Sequence, residues 1–148
     1  MKLPTLKLVM EPKIDYRSIK SITCSRDSFK YGHYFWDMDN IDVFEEFHVL
    51  FLNYRNKPIG TMKAGEGTIN TTVVDVNRVC ATAVLSRATA VILFHNHPSG
   101  ETTPSTSDHE ITNKITEALK CFDIKVLDHI ILTRYSYYSF SDEGIIKQ

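Results

Sequence analysis

Val91-Ile-Leu-Phe-His95-Asn-His97-Pro-Ser-Gly-Glu-Thr-Thr-Pro-Ser105-Thr-Ser-Asp108 is the stretch from which the rest of the chain can be read. The apolar run from Ala90 to Phe94 predicts a short buried strand that ends at the histidines. In an extended strand residues i and i+2 share a side. His95 and His97 therefore present two imidazoles to one point, while Asn96 points away and fixes the loop. Pro98 to Pro104 must be loop: Pro98 fixes φ, and Gly100 permits a close approach. Three starts are open for the next helix: Thr103 before Pro104, Ser105, or Ser107 with Glu110 as a capping box. Each places Asp108 in the first turn, where its carboxylate can return to the histidines. Two nitrogens, one oxygen and an open position form the coordination pattern of a catalytic zinc ion. A lone His-x-His would be weak; the serine and aspartate at fixed distance make the pattern specific. The plainer alternative is a pair of strand-end histidines bonded to nearby carbonyls.

Working outward, Glu46 to Leu52 reads as a strand, Asn53 to Pro58 as a turn, and Ile59 to Met62 as the hairpin return. Ala64 to Gly67 is a loop or bulge. Val76, Val79, Cys80, Ala83 and Val84 have helical spacing and predict a helix over about 76–88. Ile111, Ile115, Ala118 and Phe122 mark an amphipathic helix ending near Phe122. Lys125 to Leu132 and Tyr137 to Phe140 are the last two strands. Ahead of all these, Leu6, Leu8 and Met10 alternate as an edge strand. Ser25 is placed to cap a helix over about 26–38, with Phe29, His33 and Trp36 on one side, although Gly32 counts against it. Strands and helices interleave, which predicts an α/β fold with a mixed central β-sheet flanked by helices.

The chain has 148 residues, 43% hydrophobic and 24% charged, with a net charge of −1. That composition fits a soluble globular protein and gives no support to nucleic-acid binding. Seven Lys or Arg against three acids in residues 1–30 make a basic arm, which reads most simply as a solvated tail. Three cysteines, an odd number, argue against a disulfide framework. Cys80 and Cys121 fall on apolar helical stripes and read as small core residues. No run approaches 18 apolar residues, and the N-terminus has no signal-peptide pattern, so a reducing cytoplasm is the expected compartment.

His95-Asn-His97-Pro-Ser99-Gly100, Pro104-Ser105 and Asp108 resemble the JAMM (JAB) metallopeptidase family, in its RadC-like branch. Glu45 to Asn53, Leu127-Asp128-His129-Ile130-Ile131 and Tyr137 to Phe140 continue the resemblance, which covers about residues 41–148. It implies a three-layer, cytidine-deaminase-like arrangement of that domain behind an N-terminal extension, 1–40, with a helix of its own. Longer family members carry a helix-hairpin-helix module first, and about 40 residues are expected to leave no room for one. The resemblance also implies Zn2+ held by His95, His97 and Asp108, an upstream glutamate as general base, and Ser105 supporting the tetrahedral intermediate. Aligning Phe47-x-Val49-Leu50-x-Leu52-Asn53 puts the base at Glu45. Strand parity agrees, because Glu45 shares a face with Phe47 and Val49 while Glu46 lies beside His48.

Ser105 has a helix cap as its alternative. Asp128-His129 resembles the family's late Asp-His pair, which can orient ligands without touching the metal. A buried, hydrogen-bonded histidine is the plainer reading there. The resemblance implies hydrolysis of peptide or isopeptide bonds in a protein substrate; the residues themselves show only a site for metal-activated water. A metal hydrolase of some other substrate fits as well. The competing reading is a non-enzymatic, DNA-repair-associated or nucleic-acid-binding module. No membrane association is expected, and the sequence does not fix the oligomeric state.

Overall fold

The structure is a computed structural model that describes residues 3–5, 7–9, 11, 18–68 and 71–146. The elements are α1 (Ser25–Phe35), β1 (Glu46–Leu52), β2 (Pro58–Thr68), β3 (Thr71–Val74), α2 (Val76–Leu85), β4 (Ala90–Asn96), α3 (Thr106–Lys120), β5 (Lys125–Leu132) and β6 (Tyr137–Ser139). They form one six-stranded sheet in the order β3-β2-β1-β4-β5-β6. β4 runs parallel to β5 through the α3 crossover, and the other pairs are antiparallel. The mixed α/β sheet is the one the sequence predicts.

Both faces of the sheet are covered, which is why the central strands read as apolar runs rather than as alternations. Every residue of β4 is buried. Phe47, Val49, Phe51, Val91 and Leu93 meet Val79, Ala83, Ile115 and Leu119 of α2 and α3 on one face. Leu50, Leu52, Ile92, Phe94, Ile130 and Leu132 meet Ile22, Trp36 and Phe29 from the α1 region on the other. The result is three layers, helix on sheet on helix pair. Gly32, poor for helix propensity, lets α1 approach: a Cβ there would lie 3.2 Å from Phe94 Cε1.

Several local expectations need correction. Ser25 does not cap α1; Cys24 holds the cap position without a side-chain bond. Ser25 is the first helical residue, and its hydroxyl donates to Asp142 Oδ2 at 2.6 Å. The hairpin return is much longer than Ile59 to Met62, because β2 pairs with both β1 and β3. The expected loop or bulge at 64–67 is a bulge within β2: the register slips between Phe47 and His48, whose partners are Gly65 and Lys63. This leaves Ala64 without a partner in β1 and buried, its carbonyl accepting from Asp75 N at 3.1 Å. Cys80 packs against the core, but Cys121 is exposed at the end of α3. Gly100 has φ +81° with nothing near its would-be Cβ, so it serves the turn and not a close approach. Leu6 and Met10 of the expected edge strand lie outside the described residues, while Leu8 lies in no strand and is exposed. No helix among the described residues is long and apolar enough to cross a membrane.

Candidate metal centre

His95 continues the Val91, Leu93 side of β4 and emerges beneath the start of α3. Ser105 caps that helix: its hydroxyl accepts from Asp108 N at 3.2 Å, while Asp108 Oδ2 accepts from Ser105 N at 2.6 Å and from Ser105 Oγ at 2.7 Å. This reciprocal box selects Ser105 among the three possible starts. It also fixes Asp108, since a residue locked to its own cap has little rotamer freedom. Asp108 Oδ1 lies 3.2 Å from His95 Nε2, and Asp108 Oδ2 lies 3.6 Å from His97 Nε2. One ligand atom from each of the three residues falls within 4.8 Å of the others. A tetrahedral site with arms of about 2.1 Å has edges of about 3.4 Å, so the spacings suit an ion of zinc size. His95 Nε2 is buried and has no hydrogen-bond partner, despite its proximity to Asp108. Such an orphan is costly unless something else satisfies it. The donor set therefore fits a metal.

The electrostatics favour neutral His95 and His129 and an ionised Asp108 carboxylate, while His97 is held toward its protonated form by that carboxylate. Burial pushes His95 down to about 4. Burial also holds His129 well below the ordinary histidine value. Burial works to raise the Asp108 carboxyl, but His97, His95 and the Ser105 donors outweigh it and hold it below the usual carboxylate range. His97 is desolvated too, yet Asp108 and the Glu101 carbonyl raise it above its ordinary value. Its Nδ1 lies 2.6 Å from Glu101 O, and since a carbonyl only accepts, Nδ1 carries the hydrogen and Nε2 is left for a ligand role.

Glu45 stands just before β1, with Oε1 4.0 Å from His95 Nε2 and the carboxylate about one-fifth exposed. That distance exceeds a hydrogen bond and suits a bridging water. Glu46 sits on the other side of the strand, bonded to His48 at 2.9 Å and Lys63 at 2.6 Å. Asn96, fully buried, holds this segment in place. Its Nδ2 donates to Ile41 O and Phe44 O, both at 2.6 Å, and its Oδ1 accepts from Glu46 N at 2.7 Å. The residue between the histidines thus clamps the turn that carries Glu45. A cleft of about 860 Å³ opens beside these groups, lined by Val43, Phe44, Glu45, Glu66, His97 and Ser99 among others.

A family model described as "RadC-like JAB domain" matches residues 22–145. The chain belongs to the RadC-like JAB domain family. Among its relatives is a UPF0758 protein of Flavobacterium johnsoniae, 45% identical over 131 residues, which are 88% of this chain and 56% of that one. A UPF0758 protein of Symbiobacterium thermophilum is 42% identical over 102 residues, 69% of this chain and 44% of that one. The UPF0758 protein YeeS of Escherichia coli is 44% identical over 102 residues, 69% of each chain. This RadC-like JAB domain chain spans about half the length of the first two relatives.

Within the RadC-like JAB domain, the structure brings His95, His97, Asp108, Ser105 and Glu45 to one place. His129 joins them, its Nε2 3.3 Å from His95 Nδ1. Asp128 does not: its carboxylate accepts from Ser139 Oγ, Ser141 N and His129 N, and so holds the C-terminal turn. Thr112, against His129 Nδ1 at 2.6 Å, escaped the sequence reading. Its signal was a polar residue on the Asp108, Ile115, Leu119 stripe of α3, where a buried hydroxyl needs a partner.

Proposed function

We propose that this chain is a zinc-dependent hydrolase of peptide or isopeptide bonds, acting on a protein substrate in the cytoplasm. The observation that carries the reading is the buried, unpartnered His95 Nε2 converging with His97 and Asp108, with Glu45 across the gap. A zinc ion held by His95, His97 and Asp108 would supply Lewis acidity and lower the pKa of a water. Glu45, its Oε1 4.0 Å from His95 Nε2, would accept a proton at that oxygen from a water in the gap and return it to the leaving amine. Asn96 holds Glu45 to this task. The Ser105 hydroxyl donates to Asp108 in the resting site and would have to turn to donate to a developing oxyanion. Every residue in this reading lies in 41–148, the proposed catalytic unit.

The test is metal analysis of chelator-free protein together with turnover of a fluorogenic peptide and isopeptide panel. About one zinc per chain is expected. Glu45→Gln should keep the zinc and lose activity by roughly 10²–10⁴-fold. A wild type without stoichiometric metal overturns the reading.

A further inference from the structure

The Thr112 hydroxyl donates to the Asp108 carbonyl at 2.5 Å, and its oxygen lies 2.6 Å from His129 Nδ1. His129 Nε2 lies 3.3 Å from His95 Nδ1. A carbonyl oxygen carries no hydrogen, so the direction of this whole chain of bonds follows from its end. Thr112 has one hydroxyl proton and gives it to Asp108 O; toward His129 its oxygen can only accept. His129 Nδ1 therefore bears a hydrogen and His129 Nε2 a lone pair. That lone pair can only accept from His95 Nδ1–H. His95 Nε2, the buried atom without a hydrogen-bond partner, is then left with its lone pair toward Asp108 and His97.

We propose that Thr112 is a positioning residue that, through His129, holds His95 in the tautomer whose Nε2 lone pair faces the metal site. The inference rests on the metal reading above. The opposite order fails on two counts. Thr112 donating to His129 would leave two oxygens 2.5 Å apart with no hydrogen between them. Both imidazoles would also invert, and His95 would aim an N–H where a ligand atom is needed. His97 reaches the same end directly, through the Glu101 carbonyl. Each histidine is thus set by a main-chain acceptor, one at first hand and one through two side chains.

Histidine-labelled, metal-free full chain tests this by two-bond proton–nitrogen correlation, which shows the protonated nitrogen of each ring. His95 and His129 should both carry hydrogen on Nδ1 in the wild type and in Thr112→Ser. Thr112→Val keeps the shape but removes the hydroxyl, and should mix the His95 tautomers. Zinc affinity, read by competition with a chromophoric chelator, should fall about 10–100-fold in Thr112→Val and hold in Thr112→Ser. A wild-type His95 protonated on Nε2 refutes the proposal even if the valine variant does not fold. Unchanged tautomers and affinity in a folded Thr112→Val refute it too. A wild type with the expected tautomers that takes up no zinc supports the bond order and overturns the metal reading instead.

Discussion

Asn96→Ala removes three hydrogen bonds from a fully buried side chain, and the structure sets the cost. The bond to Ile41 O is buried, so that carbonyl would stay unsatisfied, at roughly 2 kcal/mol. Phe44 O and Glu46 N are only part-buried, and water can replace part of what they lose, at about 1 kcal/mol each. The sum is about 4 kcal/mol, a large share of the roughly 5–15 kcal/mol typical of a domain. With a urea slope near 2 kcal/mol/M, the unfolding midpoint should drop by about 2 M. Function should fail differently from stability. The turn from Ile41 to Glu46 loses its clamp, so Glu45 is no longer held 4.0 Å from His95. Hydrolysis should fall while zinc stoichiometry stays at that of the wild type, because no ligand has changed. Asn96→Asp, which keeps the size but faces two carbonyls with carboxylate oxygens, should do the same. A midpoint shift below about 0.5 M, or activity lost together with the zinc, would refute the clamp.

Ser105→Ala removes the helix cap and a donor to Asp108; it should cost about 1 kcal/mol in thermal or urea unfolding and weaken zinc retention. Glu46→Gln should leave turnover unchanged, since that carboxylate is bonded to His48 and Lys63 on the far side; a dead Glu46→Gln would shift the register by one residue. Burial pushes Asp128 up to about 6, against the donors from Ser139, Ser141 and His129. The folded chain then binds this proton more tightly than the unfolded one, so its contribution is full below about pH 4 and is lost as pH rises through about 6. Asp128→Asn can keep both backbone bonds and donate to Ser139. It should flatten that slope in pH-dependent unfolding and gain up to about 3 kcal/mol at pH 7. Duplex DNA binding, measured across a salt series, should be weak at physiological salt and vanish with the basic residues 1–30; tight, salt-resistant binding by 41–148 would favour the repair-module alternative.

β1, β4 and β5 are legible because burial on both faces leaves apolar runs, Val49 to Leu52, Ala90 to Phe94 and Ile130 to Leu132, with His95 and His97 marking where β4 meets the site. β2 beyond Met62 is not, because Gly65 and Gly67 have poor strand propensity and only pairing with β1 and β3 makes Lys63 to Thr68 extended. The cap of α1 is ambiguous in sequence because a serine before an apolar stripe suits either a cap or a tertiary bond, and the partner that decides it, Asp142, is 117 residues away. Glu45 is separable from Glu46 by aligning the family pattern, with strand parity in agreement. The Asn96 clamp and the Thr112–His129–His95 relay cannot be found that way, since each depends on which strand lies beside β4.

The two halves of the candidate centre differ in how far apart their parts lie along the polypeptide. His95, His97 and Asp108 close within one strand–loop–helix unit, while Glu45 arrives only when β1 pairs with β4 and Asn96 binds the neighbouring Glu46 N–H, fifty residues back along the chain. Chain-closure entropy grows as about (3/2)RT ln n, so the longer closure costs roughly 1 kcal/mol more before any contact rewards it. On the proposed function, the chain should therefore acquire its metal before its base during folding. A nascent or partly unfolded molecule would carry the ion without the means to cut its neighbours.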